Sequence, residues 1–225
     1  MAFHLRSLSA RRYRVEGDVP RVHDPAFAKR LADRKFRPLA AHEERAFGWV
    51  TADNCLDTRF APDSLERGPC AVFALRIDRR RVSNRLLRAM VDLEVRGRAK
   101  DTEIEAGVTG LGPNARGPRR DERAEVRRSI AADLLSKTSP SIEVHPVLWY
   151  PRRKSLLFLS LSRPANEIFR GLFTDTFDAP LSALTPFHRA VELLADRGAA
   201  EALAPVRRTE FSRAAFAVGT EEVVS

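Results

Sequence analysis

CAVFALRIDRRRVSNRLLRAM, residues 70–90, changes character halfway along. Cys70 to Asp78 is rich in β-branched and aromatic residues and predicts a strand. Arg79, Arg80 and Arg81 follow, and Ser83 then offers the side-chain oxygen of a helix N-cap. Leu86, Met90 and Leu93 recur at helical spacing, so a helix is expected to about Lys100. VTGLGPNARGP, 108–118, is broken by glycine, proline and asparagine and reads as a mobile connection. A second helix is predicted from about Arg119 to Lys137. The chain then returns to strands, VHPVLWY (144–150) and SLLFLSLS (155–162), paired across the basic turn PRRK at 151–154.

The flanks complete the pattern. Residues 3–15 alternate in a strand-like way, Asp24-Pro25 supplies a cap and a first-turn proline for a helix through about Lys35, and AFGWV at 46–50 predicts another strand. Downstream, a helix from about Pro164 to Thr176, a short strand near Leu181 and a helix opened by Thr185-Pro186 and stopped by Gly198 are expected. The fold class is α+β, a sheet-and-helix domain interrupted by a projecting helical hairpin.

Of 225 residues, 44% are hydrophobic, enough for one good core or two small ones. Apolar runs such as LLFLSL, 156–161, fall far short of the roughly 18–20 residues of a membrane-crossing helix. The N-terminus has no apolar stretch of signal-peptide kind, and Cys55 and Cys70 cannot make a disulfide framework, so a cytoplasmic protein without a membrane is expected. The formal net charge is +9, which attracts polyanions. Its distribution is uneven: residues 1–77 hold 14 basic and 10 acidic side chains, 78–137 hold 15 and 10, and 138–225 hold 10 and 10. Arginine outnumbers lysine 34 to five, which suits bidentate phosphate contact and equally reflects a biased genome composition.

Catalytic patterns are missing from the sequence. There is no G-x-x-x-x-G-K-[ST] string, and the glycine cluster Gly107, Gly110, Gly112 and Gly117 follows no strand and is punctuated by Pro113 and Pro118. His4, His23, His42, His145 and His188 are scattered without metal-ligand spacing, and the two cysteines flank apolar strand segments as buried thiols would. No enzymatic activity, no metal and no cofactor are expected.

The arginines of the two central helices are the feature left to explain. On a helical wheel Arg81, Arg85, Arg88 and Arg96 fall on one side, while Leu86, Leu87, Met90 and Leu93 fall on the other. In the second helix Arg120, Arg123 and Arg127 make a stripe that continues as Ile130 and Leu134 on the same side. Arginines so spaced lie roughly 5–6 Å apart, comparable to the phosphates of a nucleic acid strand. Two readings stand: a nucleic-acid contact, or a solvated face laced with Asp92, Glu94, Glu122 and Glu125.

GWV (48–50), LDTRF (56–60), VFALRIDRRRVSNRLLRA (72–89), RRDERAEVRRSIAADLLSKTSPS (119–141), VLWYPRRKSLLFLSLS (147–162), and ANEIFRGLFTDTF with LSALTP (165–186) occur in an order that resembles the recombination-associated RdgC family. The resemblance spans about residues 1–187 and contains no catalytic motif. It implies a DNA-binding protein without strong sequence preference, a homodimer on duplex DNA that restrains RecA-promoted strand exchange, in a nucleoid-associated cytoplasmic setting. It further implies a central domain of residues 1–77 and 142–187, a helical tip of 78–141, and a short segment, 188–225, where longer RdgC proteins carry most of a base domain. Tip and base contacts close the family's ring, so a homodimer joined at one end is the expectation here. A helix at 209–218, whose Phe211, Ala214, Ala215 and Val218 share a face, either packs back onto its own domain, the preferred reading, or supplies a substitute contact. The candidate DNA-binding residues are Arg79, Arg80, Arg81, Arg85, Arg88 and Arg96, then Arg119, Arg120, Arg123, Arg127 and Arg128, and finally Arg152, Arg153 and Lys154 in the strand turn. The alternative is a protein-interaction module of a recombination or nucleoid complex with little DNA affinity of its own.

Overall fold

A computed structural model describes residues 9–105, 120–195, 197–203 and 205. The expected connection at 108–118, the expected helix at 209–218 and Arg119 lie outside them. The chain divides into two compact units, Met1–Ala183 and Leu184–Ser225.

The first unit is built on a seven-stranded, wholly antiparallel sheet, with strands β1 (Arg11–Val15), β2 (Arg45–Val50), β3 (Glu66–Arg67), β4 (Cys70–Arg79), β5 (Ser141–Tyr150), β6 (Ser155–Phe158) and β7 (Leu181–Ala183). The order is β2-β4-β5-β6-β1-β7, with β3 extending the edge of β4 that β2 occupies. Helices α1 (Pro25–Asp33), α2 (Pro62–Leu65) and α5 (Arg163–Phe177) belong to the same unit, as do α3 (Asn84–Glu105) and α4 (Arg120–Lys137), inserted between β4 and β5. The α+β class expected from the sequence is what the chain adopts.

Strand alternation decides which side chains meet the helices. Phe73, Leu75 and Ile77 of β4, Val147 and Trp149 of β5, Leu156 and Phe158 of β6 and Tyr13 of β1 form one core with Phe27 and Leu31 of α1 and Phe169, Phe173 and Phe177 of α5. Rings dominate it: Phe158 stacks on Phe169 at 4.2 Å between centroids, and Trp49 meets Phe73 edge-on at 5.1 Å. Its polar atoms are satisfied in two places. The Trp49 indole donates to Thr176 Oγ1 at 2.8 Å, and the Tyr13 hydroxyl to Asn166 Oδ1 at 2.6 Å. On the opposite face of β4, Ala74 packs with Phe36 and Val50, and Arg76 makes a bidentate pair with Asp78 at 2.7 Å while stacking over the Phe36 ring. Gly48 is required here, because the backbone of Lys35 and Phe36 crosses β2 so closely that a Cβ would stand 2.5 Å from Phe36.

Several boundaries differ from expectation. Asp24 caps α1 as foreseen, accepting from the Ala26 N–H. Helix α3 passes through Gly97 and continues to Glu105, beyond the expected Lys100, with neither glycine nor proline between Lys100 and Gly107 in the sequence. Strand β6 ends at Phe158: the Leu159 N–H still bonds the Pro146 carbonyl in register, but Pro146 has no N–H to return, and Ser162 then caps α5. In the second unit α6 (Pro186–Ala195) is followed by Gly198 at φ 66°, whose N–H bonds the Ala195 carbonyl.

Candidate nucleic-acid interface

The insertion begins and ends at one place. Arg79 pairs across the ladder with Ser141, so the chain leaves β4 and re-enters β5 side by side. The Ser83 hydroxyl accepts from the Leu86 N–H and opens α3. The two helices share a small core of their own, Leu87, Val91 and Val126, flanked by Val82, Val95, Ile130, Ala131 and Leu134. The expected apolar face of α3 is thereby corrected. Its buried side is Leu87 and Val91, one turn apart, with Val95 partly buried beyond them, whereas Leu86 and Leu93 are 48% and 73% exposed. Partner residues on α4 choose between the two overlapping stripes. Helix α3 therefore has three sides: buried at 87 and 91 with 95 partly so, basic at 85, 88 and 96 with Arg81 just ahead of the helix, and exposed apolar at 86 and 93.

The basic sides of the two helices converge. Arg88, Val91 and Asp92 from α3 and Arg120, Arg123, Ala124 and Arg127 from α4 line a groove of about 390 Å³. Arg123 is ion-paired with Asp92, both side chains about half exposed. Arg88, Arg120 and Arg127 form no side-chain bond with the described residues, and neither do Arg81, Arg85, Arg96 and Arg128, all exposed. On α4 the arginine end and the Ile130–Leu134 end share one side, as expected from the sequence, the latter packing into the hairpin core.

The remaining candidates are placed elsewhere. Arg79 lies 3.6 Å from Glu143, and Arg80 donates to the Ala40 carbonyl at 2.7 Å, so these two brace the root of the insertion. Arg152, Arg153 and Lys154 occupy the β5–β6 turn, exposed, at the other end of β5. Ten residues of strand separate them from the root of α4, roughly 30 Å at about 3.3 Å per residue. The structure thus gathers Arg88, Arg120, Arg123 and Arg127 in one groove, leaves Arg81, Arg85, Arg96 and Arg128 outside its lining, and leaves the turn as a second basic locus.

Glu143 also stands 3.5 Å from His145, which is partly buried against Phe158. Burial holds the imidazole below its ordinary range, against the opposing pull of Glu143. The Cys70 thiol is pushed up by burial, and Cys55 is unpaired. Among the described residues no group of three His, Cys, Asp or Glu side chains could hold a metal ion, and no helix is long and apolar enough to cross a membrane. No protein-family model matches the chain, and no curated protein matches it.

Proposed function

We propose that the chain binds duplex DNA without sequence preference through the α3–α4 hairpin, as a protein of the RdgC type, and limits RecA-promoted strand exchange by occupying the duplex. The groove in which Arg88, Arg120, Arg123 and Arg127 converge carries this reading. Guanidinium groups without a protein partner are free to fork onto phosphate oxygens. The one acidic side chain in the groove, Asp92, is held by an exposed ion pair of a kind worth about 0–1 kcal/mol, so a phosphate displaces it at little cost. The rest of the lining is Val91 and Ala124, with no amide side chain to read base edges, so contact is with the backbone.

The recombination role rests on the ordered segments that resemble RdgC. The exposed Leu86 and Leu93 stripe, on a different side of α3 from the arginines, supports a homodimer joined through the hairpins. The same stripe favours the second reading, a protein-interaction module whose partner is another recombination or nucleoid protein.

Fluorescence anisotropy with two unrelated short duplexes, from about 50 to 300 mM salt, tests the proposal. Affinity should fall steeply with salt and differ little between duplexes. Absence of binding at about 50 mM salt would leave the interaction module standing, and strong discrimination between duplexes would replace both readings with a sequence-specific regulator.

A further inference from the structure

β2 is the outermost strand of the sheet on the side opposite β7, and its outer edge is only partly used. The Arg80 N–H donates to the Glu44 carbonyl at 2.8 Å, which sets the alternation: the backbone groups of Glu44, Ala46, Gly48 and Val50 face β4, and those of Arg45, Phe47 and Trp49 face outward. Trp49 is satisfied there, its N–H donating to the Arg34 carbonyl at 3.1 Å and its carbonyl accepting from the Phe36 N–H at 2.9 Å. This parallel bridge goes no further, because the Arg34 and Lys35 N–H groups turn back to the Leu31 and Ala32 carbonyls at the end of α1. Arg45 and Phe47 thus present outward N–H and carbonyl groups that no described residue pairs.

A groove of about 570 Å³ lies along that stretch, between β2 and the chain leaving α1. Phe47, 41% exposed, shares the sheet face of Trp49 by strand alternation, and Leu172 of α5 lines the groove with it. Arg34, Lys35, Arg37 and Arg45, all exposed, outnumber the carboxylates of Asp33 and Glu43, and that of Glu43 already accepts from the Ala40 N–H at 2.8 Å. Arg34, Lys35 and Arg37 form no side-chain bond with the described residues, and Arg45 lies over the Phe47 ring, 5.8 Å from its centroid.

An edge strand with unpaired backbone groups is a template for another chain. We infer that the outer edge of β2 receives an extended acidic segment of another protein as an added strand, its backbone bonding Arg45 and Phe47, an apolar side chain resting on the Phe47 ring, and its carboxylates meeting Lys35, Arg37 and Arg45. Charge selects the partner: a second copy of this edge would bring like charges together, whereas an acidic strand is attracted. The backbone groups select a peptide, since a phosphodiester has no donor for the Arg45 and Phe47 carbonyls. The site shares no residue with the hairpin groove, and its test involves no duplex, so it stands or falls apart from the DNA reading.

Backbone amide NMR of the full chain reports the edge directly. A short capped peptide of alternating glutamate and valine should shift the Arg45 and Phe47 amide resonances saturably, with a Kd on the order of 1 mM or tighter, and slow their hydrogen exchange about tenfold at saturation. The Ala46 and Gly48 amides, which face β4, should keep their exchange rates. A fully N-methylated peptide, which keeps the charge and has no backbone donor, and a lysine–valine peptide, which keeps the donors and reverses the charge, should each bind at least about tenfold more weakly. The exposed double variant Lys35→Glu/Arg37→Glu should lose about tenfold for the glutamate peptide and gain affinity for the lysine peptide, with unmoved β4 amides showing that the sheet is intact. No saturable shift up to about 10 mM, unslowed exchange at Arg45 and Phe47, equal affinity for either control peptide, full glutamate-peptide affinity in the double variant, or tighter binding of a short single-stranded oligonucleotide at the same amides would each overturn the assignment.

Discussion

The sheet and the hairpin draw on the same arginine-rich composition to opposite ends. On and beside β4 the arginines are held by the fold, Arg76 locked between Asp78 and the Phe36 ring and Arg80 bracing the Ala40 carbonyl. In the hairpin the described arginines are exposed, Arg123 ion-paired with Asp92 and Arg98 with Glu94, around a core whose buried members among the described residues are Leu87, Val91 and Val126. On the proposed reading, stability rests on the aromatic core of the sheet and binding on the surface of the hairpin, so substitutions should separate the two.

The largest effect is expected in the sheet. Phe73→Ala removes a ring that touches Trp49 and Phe27 in the middle of β4 and should cost about 3–5 kcal/mol in urea unfolding. A smaller, local effect is expected from Leu87→Ala, about 2–4 kcal/mol within the hairpin. Hydrogen exchange should show lost protection in α3 and α4 with the amides of β2 and β4 unchanged. Equal loss in both places would make them one cooperative unit. Thr176→Val, which leaves the Trp49 indole unpaired, should cost about 1–3 kcal/mol by the same urea assay without altering DNA affinity.

The smallest effect is a pH dependence at the root of the hairpin. Burial depresses the folded-state affinity of His145 for a proton, so the unfolded chain takes one up near pH 6.5 where the folded chain still resists. The folded state therefore loses stability as pH falls from about 6.5 toward the depressed folded value, and loses none above that range. Thermal melting from pH 7.5 to 5 should show it, and His145→Gln should flatten that part of the profile.

How much of this was legible beforehand depends on whether neighbours in sequence or neighbours in space decide. β4 declared itself through its β-branched and aromatic residues, α1 and α6 through their caps and prolines, and α5 through Pro164 at its start. The stripe Arg120, Arg123 and Arg127 was legible from spacing alone. That Arg88 joins it was not, because only the pairing of α3 with α4 brings the two together. The apolar side of α3 was misread for the same reason: Leu86, Leu87, Met90 and Leu93 admit two faces, and Val126 selects one. Arg79 and Arg80 adjoin Arg81 in sequence but sit where β4 ends, within reach of Glu143 and Ala40. The need for glycine at 48 arises from a backbone crossing with no local signature.

Whether the hairpin groove is the DNA surface is tested most directly by the salt dependence of duplex binding in Arg120→Ala/Arg123→Ala/Arg127→Ala, compared with the unchanged chain. Each lost phosphate contact should lower the slope of log affinity against log salt by roughly 0.9, about 2.7 for all three, with weaker binding and an unfolding curve in urea that does not move. An unchanged slope and affinity in the folded triple variant would contradict the assignment and place any DNA contact elsewhere on the chain.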